Sequence, residues 1–439
     1  MSSSPSPEPN TDTDIYTPLT SLLSTRHNTH QILDFQILPP GFGHFLHHDP
    51  AIGISKKALV QAFVVARRHF FSLSSQHPYP TTPPHPSPDE PIIDTPAPAS
   101  AASTYDNPQT LRATEVILLL DSEHLTACNW RKRRICALKQ QQQQQQQQGG
   151  GRETYLAALH ADLSFTTSLL RSPLHRHAKS PTLWHHRKWI ISQLLDGDVS
   201  AAEAFRGSHH LLHPEPSRSA GDVEEGKEVH DDPILRIVAY ELSVVLEAGA
   251  QHPNNYYAFG YLRGVMGLFG NSVTTTNSTT TQRATNSGNA LLARSVLGTV
   301  HAWCFSHGRD ISGWSFLLFL LEMLDSDDNH DDDVLRKEVI KKTARFGRNV
   351  LWDREGLWLF VDLAMGRFGV VEGEVEGLEE LERFACRIDA RVGTTNTDNQ
   401  LVAAVEYVDD RGGGEKRWKR WTRYMAALHG GKVVRLTGR

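Results

Sequence analysis

The chain has 439 residues, of which 45 are Lys or Arg and 50 are Asp or Glu, so that its formal net charge is −5. This balance excludes a protein whose whole surface is built for nucleic acid, and we expect no nucleic-acid partner. The first residues lack a basic n-region and an apolar core, and the apolar runs are far shorter than the ~18 residues that span a bilayer. With four cysteines over this length, we expect a soluble cytoplasmic protein rather than a secreted disulfide framework.

Several stretches have compositions that are typical of disordered chain. Residues 76–108 are rich in proline, which predicts an extended linker. Other segments are polar or of low complexity, and they bury too little apolar surface to offset the entropy lost on ordering. The predicted disordered regions are the N-terminus, 1–30, and four inserts at 140–152, 207–231, 271–288 and 325–333.

Apolar residues outside these stretches recur at helical spacing. Leu159, Leu163 and Leu170 share one helix face, and Ser180 followed by Pro181 is typical of a helix start. No convincing run of alternating apolar and polar residues indicates a strand. We therefore predict an all-α fold with an N-terminal helical segment at 31–75 (its helix at 52–73), helical repeats at 109–367 and C-terminal capping helices at 368–430.

The predicted helices form pairs, and the second helix of each pair begins with a similar motif. Alignment of these motifs places five residues at one anchor position: Cys128, Trp184, Phe259, Trp314 and Trp358. Once the inserts are subtracted, the spacing falls in or near the ~34–47-residue period of helix-pair solenoids. Such pairs bury their faces only by stacking, which predicts a right-handed superhelix, a crescent-shaped solenoid of helical hairpins.

The strongest motif is KSPTLWHHRKW at residues 179–189, which resembles the repeat signature of protein prenyltransferase α subunits, roughly Lys-Asn-Tyr-x-x-Trp-x-x-Arg-Arg. Residues 124–131, 253–259 and 309–314 are similar to other variants of that repeat, and the variants follow in the family's order. The resemblance covers about 110–367. Because the repeats are degenerate and the flanks long, the chain looks more like the divergent, α-subunit repeat-containing branch than a farnesyltransferase α subunit.

The resemblance implies an α-type subunit that wraps around a β subunit. In this family the β subunit holds the zinc ion, the isoprenoid diphosphate and most of the catalytic site, so this chain is expected to bind no cofactor or metal itself. The implied reaction transfers a farnesyl or geranylgeranyl group from its diphosphate to a C-terminal cysteine of target proteins. The divergent repeats favour a Rab-type geranylgeranyltransferase β subunit as the partner.

Two residues correspond to the family's α-subunit contacts with the diphosphate, which is shared with the β subunit. The lysine that precedes one repeat's tyrosine corresponds to Lys179, and the tyrosine of the next repeat corresponds to Tyr256. Pro181 stands where the first of these repeats has its own tyrosine, so one contact is absent. A cation just before the helix start at Ser180 opposes the helix dipole unless an anion is near. A surface role for Lys179 and a packing role for Tyr256 are the alternatives.

The repeat positions themselves are interpreted as packing contacts. Trp184 and Arg187 lie three residues apart on one helix face, where they can hold neighbouring hairpins together rather than take part in catalysis. The same structural role is predicted at Arg131, Phe259, Trp314 and Trp358. At the arginine position the last three repeats carry apolar residues, which predicts apolar contacts there: Leu262, Leu317 and Val361.

Four histidines, His175, His177, His185 and His186, lie close together in the sequence. Because no cysteine or carboxylate stands at ligand spacing, they are interpreted as solvated surface side chains rather than as a metal site.

The segment 415–428 has an apolar face that carries two tryptophans and is surrounded by basic residues. It is interpreted as a helix that caps the solenoid, and a membrane-surface or partner-binding helix is the alternative.

Three functions are compatible with these patterns. The first is the α-type prenyltransferase subunit, inactive alone. The second is a tetratricopeptide-like scaffold that binds peptides in its concave groove, although the Lys-x-x-x-x-Trp-x-x-Arg spacing speaks against it. The third is a protein that has kept the fold and lost the activity, which Cys128, Pro181 and Phe259 leave open.

Overall fold

The computed structural model describes residues 14–29, 31–75, 105, 107–145, 152–195, 233–272, 281–324, 330–375 and 417–429. Within these ranges the chain is mostly helical, which confirms the predicted all-α class, and none of these helices is long and apolar enough to cross a membrane. The chain divides into two compact units, Met1–His252 and Pro253–Arg439. The superhelical path of the repeats stays a prediction.

The N-terminal part of the first unit contains a small mixed sheet that the sequence analysis did not predict. Strand β3 lies in the centre, with β1 parallel on one side and β2 antiparallel on the other. Ile52 and Ile54 in β3 show the alternating burial of a strand, and Phe35 in β1 is buried between two exposed residues. Strands this short give too few residues for a periodic signal in the sequence. The elements are helix α1 (Tyr16–Thr29), β1 (Asp34–Leu38), β2 (Phe45–His48), β3 (Ala51–Ser55) and helix α2 (Lys56–Ser75).

Two sequence predictions for this region therefore need correction. The helix predicted over 52–73 begins only at Lys56, because the preceding residues form β3. Part of the region predicted to be disordered, 1–30, is helix α1, whose Leu19 and Leu23 are buried. Residues 1–13, and most of the proline-rich linker, lie outside the described residues.

The other described residues of the first unit are mostly helical. Helix α5 packs against α4, α7 and α8, and the predicted leucine face on α5 is buried at Leu159, Leu163 and Leu170. The helices are α3 (Pro108–Leu120), α4 (Leu125–Gln145), α5 (Arg152–Leu170), the short α6 (His175–Ala178), α7 (Pro181–Leu195) and α8 (Pro233–Gln251).

The described residues of the second unit form helices that pack around α10 and α13. Helix α10 packs against α9 and α11, and α13 packs against α11, α12 and α14. The helices are α9 (Tyr256–Ser272), α10 (Thr281–Ser306), α11 (Ile311–Met323), α12 (His330–Asn349), α13 (Glu355–Phe368) and α14 (Arg417–His429), with a short 3-10 turn at Glu372–Glu374.

Three of the predicted disordered inserts are partly helical. The glutamine tract continues α4 to Gln145, and α10 begins at Thr281. The acidic run at 325–333 includes the first turn of α12, where carboxylates are favoured by the helix dipole. There Asp332 is buried and accepts hydrogen bonds from Arg294 Nε and Nη2, both at 2.6 Å. The insert at 207–231 lies outside the described residues.

Helix α14 packs on α13, which favours the capping role over the membrane-surface alternative. The Trp421 side chain is completely buried, and its ring lies 5.8 Å from that of Trp358. Met425 is also buried, and Arg417 Nη2 lies 2.7 Å from Asp362 Oδ1. The face that the sequence marks as apolar is therefore covered by protein at these positions.

Candidate functional site

Each repeat motif begins a helix in the same way. The residue four places before the anchor is the N-cap, and its side chain accepts a hydrogen bond from the backbone N–H three residues later. Four of the five motifs share this bond, whereas Arg354 makes no side-chain cap. The pairs are Ala127 N–His124 Nδ1 at 3.2 Å, Leu183 N–Ser180 Oγ at 3.1 Å, Ala258 N–Asn255 Oδ1 at 3.3 Å and Gly313 N–Asp310 Oδ1 at 3.0 Å.

The tryptophan anchors are tied to the loop that precedes their own helix. In all three repeats with tryptophan, the indole Nε1 donates to the carbonyl oxygen six residues earlier. The bonds are Trp184 to Ala178 at 2.8 Å, Trp314 to Gly308 at 2.9 Å and Trp358 to Trp352 at 2.7 Å. The anchor therefore fixes the end of the loop as well as filling the core.

Cys128 has no indole N–H to donate to the carbonyl six residues earlier in its repeat. That carbonyl accepts a hydrogen bond from another side chain. That carbonyl belongs to Ser122, and it accepts a 3.1 Å hydrogen bond from the Ser180 hydroxyl of the following repeat. Because a buried carbonyl without a donor is costly, this bond compensates for the missing tryptophan. Burial raises the pKa of the Cys128 thiol to about 12, so that Cys128 is an uncharged packing residue.

Arg131 lies in a buried charge network between α3, α4 and α5. Its guanidinium bonds both carboxylate oxygens of Asp162, and Nη1 donates to Thr114 Oγ1 at 2.9 Å. His186 Nε2 lies 3.0 Å from the same carboxylate. Burial alone would raise the pKa of Asp162, but the Arg131 charge and the His186 hydrogen bond hold that pKa well below its usual range. The charged groups of this network are buried and bonded to one another, so that their role is structural.

Arg187 makes the corresponding contact in the next repeat. Its Nε and Nη2 donate to Glu241 at 2.7 and 2.9 Å, and both side chains are fully buried. Its Nη1 donates to the Leu163 carbonyl at 3.0 Å and to Thr167 Oγ1 at 2.8 Å. Arg187 therefore joins α7 to α5 and α8. Apolar residues replace arginine in the later repeats, and all three are fully buried, as predicted: Leu262, Leu317 and Val361.

In the first unit the repeats are joined through the ion pairs of Arg131 and Arg187. In the second unit aromatic contacts between the repeats take that role. The anchor of one repeat lies against the aromatic residue two places after the next anchor. The ring centroids are 5.5 Å apart for Phe259 and Phe316, and 5.4 Å apart for Trp314 and Phe360. The structure thus places every predicted anchor in the protein interior, where none can contact a substrate.

Lys179 occupies a different environment. It follows α6 directly, precedes the N-cap Ser180, and is half-buried. The rings of His175 and His252 are 5.1 Å apart near it, and the pKa of His252 is lowered by burial and by the charges of His175 and Lys179. We call Lys179, His175 and His252 the Lys179 cluster. Lys179 supplies a positive charge and the neighbouring imidazoles can donate hydrogen bonds, an arrangement that is suited to binding an anion.

Tyr256 is the first residue of α9 and belongs to the second unit. Its side chain is 62% exposed, and its ring centroid lies 4.1 Å from that of Tyr257. A hydrogen bond with Tyr257 raises the pKa of Tyr256, which keeps the phenol protonated and able to donate. Its pairing with Lys179 stays a prediction, because the two residues lie in different units.

The predicted surface histidines separate into two groups. His175 and His185 are exposed, as expected, but the prediction is wrong for His177 and His186, which are buried. His177 Nε2 lies 3.0 Å from the Leu118 carbonyl oxygen, and His186 contacts Asp162 as described above. In the described parts of the chain, no group of three or more His, Cys, Asp or Glu residues is placed to hold a metal ion.

The sequence interpretation missed the carboxylates that pair with the buried arginines. Asp162 and Glu241 both interrupt apolar helix faces, Asp162 between Leu159 and Phe165, and Glu241 between Val238 and Val245. A carboxylate on an apolar face needs a buried cation, because an unpaired charge is costly in the interior. This signal could have predicted that each arginine has a partner, though not which one.

Comparison with known families matches residues 159–194 to the protein prenyltransferase alpha subunit repeat. The chain is 23% identical over 168 residues to "Protein prenyltransferase alpha subunit repeat-containing protein 1" of Homo sapiens, which covers 38% of this chain. It is 28% identical over 151 residues to "Protein prenyltransferase alpha subunit repeat-containing protein 1-A" of Xenopus laevis, which covers 34% of this chain. These matches span 34% and 27% of the relatives' own lengths. They confirm the resemblance found in the sequence.

Proposed function

We propose that this chain, which carries a protein prenyltransferase alpha subunit repeat, is the α-type subunit of a heterodimeric protein prenyltransferase. The observation that carries the proposal is the Lys179 cluster, in which a lysine of the matched repeat stands beside two histidines at a helix start. The reaction transfers a farnesyl or geranylgeranyl group from its diphosphate to a C-terminal cysteine of a target protein. We place it in the cytoplasm, because the few cysteines suit a reducing compartment.

The Lys179 cluster supplies positive charge to the diphosphate side of the active site. Negative charge builds on the diphosphate as it leaves, and a fixed cation near it lowers the barrier. Lys179 provides a point charge, and His252 gains a proton more readily once an anion is bound. Tyr256 supplies a hydroxyl donor from the start of α9. Pro181 offers neither hydroxyl nor N–H, so that the histidines replace a contact the family repeat would make.

The repeat architecture holds Lys179 in place. Trp184 Nε1 bonds the Ala178 carbonyl, directly before Lys179, and Ser180 is bonded to both Leu183 and Ser122. The residue is therefore held between two fixed neighbours. Such preorganisation is what electrostatic stabilisation of a leaving group needs, because the charge does not have to reorganise during the reaction.

The partner is a β subunit that carries the zinc ion and the rest of the catalytic site. We propose a Rab-type geranylgeranyltransferase β subunit, since the repeats of this chain are degenerate. The protein substrates are chains with C-terminal cysteines, and the isoprenoid diphosphate is shared between both subunits.

The test is co-expression of the full chain with a Rab-type geranylgeranyltransferase β subunit and, separately, with a farnesyltransferase β subunit. We expect a one-to-one complex with the first, and transfer of a labelled isoprenoid to a cysteine-terminated protein. Lys179→Ala should lower kcat about 100-fold in that complex. Lys341→Ala removes a cation from α12 in the second unit and should leave the rate unchanged.

The outcomes separate the three functions. If neither β subunit binds and other proteins are retained, the chain is a peptide-binding scaffold. If the complex forms and transfers no isoprenoid, the fold has been kept without the activity. If transfer occurs and Lys179→Ala has no effect, the Lys179 cluster does not contact the diphosphate.

A further inference from the structure

One face of α2 is exposed, cationic at its margins and apolar in its centre. At about 100° per residue, seven of its exposed side chains fall within an arc of about 120°, whereas the exposed His69 and Ser72 lie outside it. We call this arc the α2 face. In order across it lie Lys56, Arg67, Val60, Phe71, Val64, Lys57 and Arg68, all exposed.

The apolar centre of the α2 face is open to solvent. Val60 and Val64 are each 42% exposed, and Phe71 is 44% exposed. The opposite side of the helix is fully used by the fold, because Leu59 and Phe70 are buried and α2 packs against α1 and α3. The exposed apolar residues are therefore not part of the core of the first unit.

Among the described residues, the helices and the strand that pack against α2 offer few carboxylates to this face, although Asp14 caps the start of α1. Neither α2 nor α1 contains Asp or Glu, and β3, which leads into α2, contains none. The acid in α3, Glu115, is completely buried. Helices α1 and α2 and strand β3 therefore supply no carboxylate to the four cations, which leaves a positive field on the α2 face.

We propose that the α2 face binds the surface of a membrane that contains anionic lipids. Cations on both sides of an apolar stripe match a plane of anionic headgroups above a hydrocarbon layer. The long side chains of Lys and Arg reach the headgroups while Val60, Val64 and Phe71 enter the boundary of the acyl chains. Arg67 already lies over the Phe71 ring at 5.6 Å, which brings a charge and an apolar group to the same edge.

The test is co-sedimentation of the full chain with vesicles of phosphatidylcholine alone and of phosphatidylcholine mixed with phosphatidylserine. We expect binding only to the mixed vesicles, and a loss of binding as salt is raised. Arg67→Gln with Arg68→Gln removes two cations and should weaken binding by on the order of 30-fold. Val60→Thr with Val64→Thr keeps the shape of both side chains. It should weaken vesicle binding several-fold, because the hydroxyl groups oppose insertion into the acyl chains.

Lys337→Gln with Lys342→Gln is the matched control, since it removes two cations from α12 and should bind as the unchanged chain does. Unaltered circular dichroism and Tm show that each variant is folded. Equal binding to both vesicle types would overturn the proposal. So would a control variant whose vesicle binding is weakened as much as that of the Arg67 and Arg68 variant. Retention on immobilised polyglutamate through Arg67 and Arg68, without vesicle binding, would assign the face to an acidic protein instead. None of these outcomes depends on a β subunit.

Discussion

The Ser180 hydroxyl donates a hydrogen bond to the Ser122 carbonyl across 3.1 Å, and it accepts one from the Leu183 N–H at the same distance. One side chain therefore caps its own helix and joins it to the preceding repeat. This double role arises where Cys128 replaces the tryptophan whose indole would have reached the Ser122 carbonyl.

Ser180→Ala should destabilise the protein more than loss of a helix cap alone. The substitution leaves a buried N–H and a buried carbonyl without this partner, and we expect a decrease of about 2–3 kcal/mol in the free energy of unfolding. Urea unfolding followed by circular dichroism measures it. Ser192→Ala, which loses only a bond to its own helix at the Trp189 carbonyl, should change stability by less than about 0.5 kcal/mol. If both variants lost the same free energy of unfolding, the bond between Ser180 and Ser122 would not contribute to stability.

Arg187→Met should lower the free energy of unfolding by about 3–5 kcal/mol, because it leaves the Glu241 carboxylate buried and without its cation. This is among the largest effects that we expect from a single substitution. The double variant Arg187→Met with Glu241→Leu should recover much of that loss. Arg171→Met breaks an exposed ion pair with Glu247 and should cost about 0–1 kcal/mol. Thermal unfolding of the three variants tests this, and a double variant as unstable as Arg187→Met would contradict it.

Stability should fall below pH 6.5 because of His301. Burial, together with the Lys342 charge, lowers the pKa of His301 to about 4 in the folded chain. Between the unfolded value and about 4, the unfolded state binds more protons, so the free energy of unfolding decreases as pH falls. The loss from His301 is about 2 kcal/mol between pH 7 and pH 5. Unfolding in urea at both pH values measures the slope.

His301→Gln is the control for this slope, because glutamine can still bond Thr343 and does not titrate. The free energy of unfolding of this variant should depend less on pH. Part of the remaining dependence comes from His177, His186 and His252, whose pKa values are also lowered by burial. An unchanged slope in His301→Gln would show that His301 is not the source.

Cysteine reactivity should distinguish the anchor position from the surface. With its pKa raised to about 12 by burial, Cys128 has about one thiolate in 10⁴ at pH 8. Cys136, on the same helix, is exposed. Iodoacetamide should label Cys136 rapidly and Cys128 only after addition of urea, as followed by mass spectrometry of peptides. Equal labelling in the folded protein would mean that the Cys128 repeat opens readily.

The sequence predicted those features that depend on local spacing. The anchor positions repeat along the chain, and the start at Ser180 follows from residue types next to each other. The partners of Arg131 and Arg187 could not be predicted, since each carboxylate lies far away in sequence and a pairing depends on how helices meet. The sheet at residues 34–55 was missed because its strands are too short for a periodic signal, and pairing rather than propensity stabilises them.

Anion binding at the Lys179 cluster should raise the pKa of His252. Burial and electrostatic interactions with His175 and Lys179 lower this pKa, and a bound diphosphate would favour the protonated ring. Proton NMR of the His252 ring, assigned with His252→Gln, should show an upward shift of the pKa on addition of an isoprenoid diphosphate to the heterodimer. Lys179→Ala should by itself raise the pKa of His252 in the free protein, since one opposing charge is gone, and should reduce the further shift caused by the diphosphate. A diphosphate that leaves the His252 titration unchanged binds elsewhere, and the Lys179 cluster would then be an ordinary basic surface.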